Sequence, residues 1–291
     1  MKLWERFSKN IYKLAAQPQI KKVRPKLIES VLAKSLSMLD SERVEEIRTF
    51  ILSKQTPQGG FSDRGGKCDL YYTLFGYYIA ESLSVTRVME PLKKYVATTV
   101  ALNNLSGVYR YCGAILYAKL IGIDATTEKL RIQIVTDLTQ KDLKQSQYSE
   151  FLGILALYYL EDFKSIRLIV NKYKRSFSPG DKPCPVIAAT AVMLAITGDQ
   201  KPEIVDVLNT YYRGNGGFAA LHLAPSVDLL STAVALYALH FLDADLRLMK
   251  PDCLTFIDDL YDKGGFRATK YDSVTDVEYT FYGLLALGSM C

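Results

Sequence analysis

The chain has 291 residues, is 49% hydrophobic and 23% charged, and carries a formal net charge of +5; this is globular composition, long enough for one large domain or two small ones. No apolar run of about 18 residues and no signal-peptide core with a small-residue cleavage site occurs, which argues against a spanning helix and a secretory leader and for the cytoplasm. The charge is too modest and dispersed for nucleic acid as a partner, and Cys68, Cys112, Cys184, Cys253 and Cys291 are scattered as reduced thiols are, not paired as a zinc knuckle or disulfide framework.

In chain order, the first element is an amphipathic helix. Leu3, Trp4, Phe7, Ile11, Tyr12 and Leu14 share one face of residues 1–16, with Lys2, Arg6, Lys9 and Lys13 elsewhere. Such a pattern suits an anchor at a membrane surface, and it suits equally a helix docked on the rest of the protein. Gln17-Pro18 is expected to end it, and a second helix over about 26–39 leads on. Asp40-Ser41 then reads as an N-cap opening an amphipathic helix over 41–54.

The next stretch, QTPQGGFSDRGGKCDLYYTLFGYYIAESL, sets the pattern of the chain. Gly59-Gly60-Phe61 leads through a polar loop to Asp69 and Thr73. Gly216-Gly217-Phe218 leads likewise to Asp228 and Thr232, and Gly264-Gly265-Phe266 to Asp276 and Thr280. The Asp-to-Thr interval is four residues each time while the preceding loop varies, so each Asp is expected to start a helix. After each Asp the residues are apolar all round, the mark of a buried helix. Fainter copies of that helix lie at 109–121, 148–161 and 184–197. Amphipathic helices over 85–101, 126–139, 162–175, 201–212 and 249–262 separate them. The chain thus reads as six hairpins of about 40 residues, each pairing an outer with an inner helix, and period-two alternation is absent. Inner helices apolar on every side favour a ring closed on itself over an open solenoid.

The Gly-Gly-Phe loop, the Asp and the apolar helix after it resemble the repeats of the prenyltransferase and squalene-cyclase superfamily, with Gln55-x-x-x-Gly59-Gly60-Phe61 as the nearest copy. The resemblance spans 41–291. It implies an all-α fold, an (α/α)6 toroid with an inner ring of buried helices, an outer ring of amphipathic ones and an apolar central cavity. Residues 1–40 then form N-terminal helices packed on or anchoring this single domain.

In that architecture the inner helices present their N-termini at one mouth, where Asp69, Asp228, Asp276 and Glu278 are the candidate acids; the same residues suit plain helix caps. Protein prenyltransferase β subunits hold zinc with an Asp, a Cys two residues on and a later His. The Asp position is Asp228 here, but Leu230 and Tyr279 stand at the other two, so no metal or other cofactor is expected. His222, in the loop ahead of Asp228, reads as a surface residue. The cyclases protonate an alkene with the middle Asp of D-x-D-D. Asp228-Leu229-Leu230-Ser231-Thr232 has lost that acid, whereas Asp276-Val277-Glu278-Tyr279-Thr280 keeps a carboxyl there as Glu278. No D-D-x-x-D cluster for magnesium diphosphate chemistry appears, since Asp258-Asp259 lacks its third acid.

The expected catalytic residues are therefore Glu278, Asp276 and Asp228. Asp69, Tyr72, Phe75, Tyr111, Tyr148, Phe151, Tyr279 and Tyr282 are expected to line the substrate site, aromatic faces being suited to stabilising carbocations. The activity that the resemblance implies is an acid-initiated, terpene cyclase-like conversion of an isoprenoid chain. The alternatives are a prenyltransferase β-like subunit with a partner chain, and a non-catalytic isoprenoid-binding protein. The expected partners are thus an isoprenoid or other lipid-like small molecule, a membrane surface met through residues 1–16, and a partner subunit.

Overall fold

A computed structural model describes residues 2–102, 104–140, 149–176, 180, 182–199 and 201–291, with the backbone alone for 2–10 and 176. Two N-terminal helices, α1 (Lys2–Val23) and α2 (Ile28–Leu36), precede six helical hairpins. Their outer helices are α3 (Ser41–Ser53), α5 (Met89–Leu102), α7 (Ala125–Gln140), α9 (Phe163–Ser176), α11 (Glu203–Asn209) and α13 (Lys250–Asp258). The inner ones are α4 (Leu70–Ser82), α6 (Gly107–Leu120), α8 (Ser149–Tyr159), α10 (Cys184–Ile196), α12 (Leu229–Phe241) and α14 (Val277–Ser289). Outer helices bury one stripe, as Leu92, Val96 and Val100 do at every fourth residue of α5. Inner helices are buried all round: every residue of α10 from Ile187 to Ile196 is inside. The inner ring runs α4, α6, α8, α10, α12, α14, and α14 packs back on α4, which closes it.

The Gly-Gly-Phe loops carry the closure. Gly59, Gly216 and Gly264 adopt φ of +99°, +90° and +86°, the left-handed region that glycine enters without a Cβ penalty. A Cβ on each would stand 2.3 Å from the Pro91 carbonyl of α5, 2.0 Å from the Asp252 carbonyl of α13 and 2.2 Å from the Glu46 carbonyl of α3. Each loop therefore lies on the backbone of the next outer helix, and the last lies on the first.

The fixed Asp-to-Thr interval has a hydrogen-bonding cause. The N–H groups of Phe61, Phe218 and Phe266 donate to the hydroxyls of Thr73, Thr232 and Thr280 at 3.0, 2.9 and 3.2 Å. Thr232 and Thr280 in turn donate to the carbonyls of Asp228 and Asp276 at 2.7 and 2.6 Å. One helical turn is the only separation that serves both bonds. The three phenylalanines are buried, each contributing about 2–3 kcal/mol of apolar burial. Phe61 lies on Gly76 and Phe266 on Gly283, where no Cβ would fit. Short strands mark the later loops: β1 (Tyr212–Arg213) pairs with β2 (Gly217–Phe218), and β4 (Gly265–Arg267) sits between β3 (Tyr261–Asp262) and β5 (Thr275–Asp276).

The N-terminal segment departs from the sequence expectation. α1 does not stop at Gln17-Pro18 but continues through Pro18 to Val23. Tertiary anchoring offsets the bond that proline cannot donate: Gln19 Nε2 donates to the Ala195 carbonyl at 2.6 Å, and Lys13 pairs with Glu161 at 2.5 Å. This part of α1 is docked against α9 and α10, although Ile11 and Leu14 remain exposed; the side chains of Leu3, Trp4 and Phe7 lie outside the described residues. α2 packs on α14 and α4 so closely that a Cβ on Gly288 would stand 1.9 Å from the Val31 carbonyl.

Candidate active site at the mouth of the bore

Asp69, Asp228 and Asp276 cap α4, α12 and α14, accepting from the N–H groups of Tyr72, Ser231 and Tyr279 at 2.7, 2.8 and 2.7 Å. These three helix starts share one end of the ring. The Leu229 N–H donates to the Ala268 carbonyl in the loop before α14 at 2.9 Å. Arg64, from the loop before α4, bridges to Asp272 at 2.8 Å and to Asp276. Tyr71, the second residue of α4, donates to Glu278 Oε1 at 2.6 Å. The four acids therefore lie at one end of the ring, and the structure adds Arg64, which pairs with Asp276 and Asp272. Arg64 is invisible to motif reading because it sits in the variable part of the loop and finds its carboxylates more than 200 residues away.

The electrostatics separate these acids. Asp276 is buried and shares Arg64 with Asp272. Burial works against the Arg64 charge, but its bonds to Asp276 and Asp272 hold its pKa above the ordinary arginine value. Glu278 lies beside them. Burial raises its pKa and the Asp276 charge adds to this, against hydrogen bonds from Tyr71 and Tyr72 and the charge of Arg64. Burial also raises Asp69 and Asp228, opposed by the backbone groups that they cap. Tyr279, with Arg64 over its ring at 5.2 Å, is pushed up to about 12 by burial and the surrounding carboxylates.

A stability change with pH follows. A carboxyl whose folded pKa is raised binds its proton more tightly when folded, so its stabilising contribution is complete below its ordinary pKa and is lost as pH rises through the folded value. Lowering the pH from 7 towards the ordinary carboxyl values of about 4 should therefore raise the melting temperature of the wild type relative to that of an Asp69→Asn, Asp228→Asn, Glu278→Gln triple variant. Parallel melting curves for the two proteins across that range would contradict the assignment.

Below the mouth, the ring encloses an apolar bore. Leu74, Phe75 and Tyr78 of α4, Phe151 and Leu152 of α8, Val192 of α10, Val234 and Tyr237 of α12, and Phe281 and Leu285 of α14 line it. Ile28, the first residue of α2, also lines the bore, from the N-terminal segment. The bore has only about 20 Å³ of free volume, room for about one water and far below the roughly 300–1,000 Å³ of a small-molecule pocket. The apolar centre inferred from the resemblance exists, but its own side chains and Ile28 fill it.

The remaining expected site residues divide. Phe75 and Phe151 line the bore. Tyr72 and Tyr279 stand at the mouth beside Glu278 and Arg64. Tyr282 is buried beside Phe75 and Phe281, at 5.7 and 5.4 Å between ring centres, and does not line the bore. Tyr111 also lines no part of it; it is buried beside Asp137 of α7 and Glu150 of α8. A helix apolar on all sides gives no periodic signal for which face points inward. Tyr148 lies outside the described residues. His222 stacks on Tyr211 at 3.9 Å between ring centres, and the Asp228 carboxylate instead serves as a cap. The donor set does not fit a zinc ion, with Leu230 and Tyr279 flanking that cap; among the described residues no group of three or more His, Cys, Asp and Glu side chains is placed to hold a metal.

No curated protein matches the chain. The family model described as the prenyltransferase alpha-alpha toroid domain matches residues 30–104 and 186–290, more than half of the chain and including all three Gly-Gly-Phe loops with their Asp caps. The closed double ring, the loops that lock it and this match agree, and the chain belongs to the prenyltransferase alpha-alpha toroid family.

Proposed function

We propose that the protein takes an isoprenoid or similarly apolar chain into its bore and that Glu278 protonates it, starting a cyclisation or isomerisation. The observation that carries this reading is the short relay of side chains between acid and bore. Tyr71 donates to Glu278 and meets Phe75 edge-on at 4.8 Å, and Phe75 lines the bore together with Phe281. In the reaction the Glu278 proton adds to one carbon of an alkene, whose π electrons form the new C–H bond. The cation left on the neighbouring carbon faces Phe75, Phe281 and Tyr78, each ring being worth roughly 1–2 kcal/mol when water is excluded. Loss of a proton to the Glu278 carboxylate, directly or after a second double bond has attacked and moved the cation to a new carbon, ends the sequence with no change in composition. The test is turnover of linear polyprenyl substrates by the wild type and by Glu278→Gln, with products of unchanged mass as the expected result.

A second reading has its own observation. With about 20 Å³ free, the bore accepts a chain only when part of its filling moves. That favours a toroid that binds isoprenoids, or a partner subunit, without catalysis. A β-like transferase subunit would draw its missing groups from a second chain.

Membrane contact through residues 1–16 belongs to the same proposal. Exposed Ile11 and Leu14 support it, while the Lys13–Glu161 pair and the Gln19 bond tie the helix to the toroid. Deleting residues 1–16 should reduce co-sedimentation with anionic liposomes and leave the melting transition cooperative. Unchanged co-sedimentation would leave docking as the only role of this helix. No described helix is long and apolar enough to cross a membrane.

A further inference from the structure

At the end of the bore opposite the acids, the N-terminal segment crosses the C-termini of the inner helices. Lys26 Nζ donates to the Phe241 carbonyl of α12 at 3.0 Å and pairs with Asp243 at 2.5 Å. Two residues on, Ile28 enters the bore, and Glu29 reaches a cluster built from three other helices. Lys119 of α6 lies over the rings of Tyr77, Tyr78 and Tyr159 at 5.5, 5.7 and 4.7 Å. Its ammonium pairs with Glu29 Oε1 at 2.5 Å, and Tyr159 donates to that same oxygen at 2.6 Å. The other carboxylate oxygen, Glu29 Oε2, is buried and has no hydrogen-bond partner. Tyr78 belongs to both features, as wall of the bore and side of the cluster.

We infer that Ile28 and Glu29 are an internal occupant of a second ligand site, and that this end of the bore takes the anionic head, carboxylate or phosphate, of a lipid-like chain whose tail lies where Ile28 now sits. The inference rests on the bore accepting an apolar chain, and it adds which end holds the head. The cluster has the parts of a built anion seat: a lysine 13% exposed, a tyrosine hydroxyl aimed at the same oxygen, and aromatic rings that exclude water and strengthen the charge pairing. A carboxylate with one oxygen unsatisfied is an imperfect occupant, since a buried acceptor without a donor has given up its hydration for no bond in return. Charge balance also favours exchange. Glu81, tied to the Tyr77 hydroxyl, stands 3.7 Å from Lys119. An incoming carboxylate that takes the place of the Glu29 carboxylate therefore leaves the net charge of the cluster unchanged, and a phosphate head adds at most about one negative charge beside Lys119.

Calorimetric titration of the full chain with farnesyl monophosphate and palmitate, against farnesol and palmityl alcohol, tests this. Glu29→Gln removes the competing charge without changing size, and should bind the two anionic chains about tenfold or more tighter than the wild type does, with no gain for the alcohols. Lys119→Gln should abolish the preference for the anionic heads. In the Glu29→Gln background, Tyr159→Phe removes a donor of the same seat and should lower the affinity for the anionic chains but not for the alcohols. Equal binding of acids and alcohols by Glu29→Gln would overturn the head site alone. Binding of neither class by any of the proteins would overturn the head site and the chain-binding bore together. Loss of turnover in Glu278→Gln, at the opposite end, bears on neither result.

Discussion

Gly264→Ala is expected to destabilise the protein by about 3–4 kcal/mol, with a fall in melting temperature of about 10 °C. Two costs combine at this position. The left-handed φ of +86° penalises any L side chain by roughly 1–2 kcal/mol. The added methyl would also stand 2.2 Å from the Glu46 carbonyl oxygen, so the loop and α3 must separate where the last hairpin meets the first. Because that contact joins the two ends of the ring, its loss opens the inner ring at α14 and α4, which bury a large share of the apolar core. Gly66 supplies the control. It has φ of +80° and nothing within 4 Å of an added Cβ, so Gly66→Ala carries the conformational cost alone and should lower stability by about 1–2 kcal/mol. Thermal or urea melts of the two variants side by side decide the matter. Equal losses would show that the close approach of Gly264 to α3 does not hold the ring.

The same contrast explains what was legible in the sequence. Phe266, Asp276 and Thr280 serve constraints set within one loop and one helical turn, and Gly264 also meets a local one in its left-handed φ, so their residue types and spacing announce the structure without any partner being known. Arg64 and Ile28 act on groups far along the chain. Nothing local distinguishes Arg64 from a solvated loop residue, or Ile28 from an ordinary core position. Pro18 shows the complementary failure: its local rule predicts a helix end, and anchoring by Gln19 and Lys13 overrides it. The filling of the bore was the least accessible feature. An apolar inner face implies a cavity or a packed core equally well, and only the side chains that meet at its centre tell the two apart.

Glu278→Gln should lower turnover of a polyprenyl substrate by about 100-fold or more, the usual contribution of a positioned general acid. The substitution keeps size and an acceptor oxygen for the Tyr71 hydroxyl, so binding and melting temperature should change little while the proton is gone. Wild-type activity should carry the signature of that carboxyl. Burial raises its folded pKa above the ordinary 4.5, so the reactive protonated form predominates at low pH and activity falls as pH rises through the raised value. Asp276→Asn separates position from chemistry. It keeps a side-chain oxygen for the cap of α14 but loses the charge shared with Arg64, so it should cost mainly stability, about 1–3 kcal/mol, with Arg64 still held by Asp272. It also withdraws a negative charge that raises the Glu278 pKa, which should shift the fall in activity to lower pH. A profile that moves in this direction in Asp276→Asn links the acid to the reaction in a way that a structural defect cannot imitate. Full activity in Glu278→Gln would instead remove the acid from the mechanism and leave the toroid as a binding or partner protein.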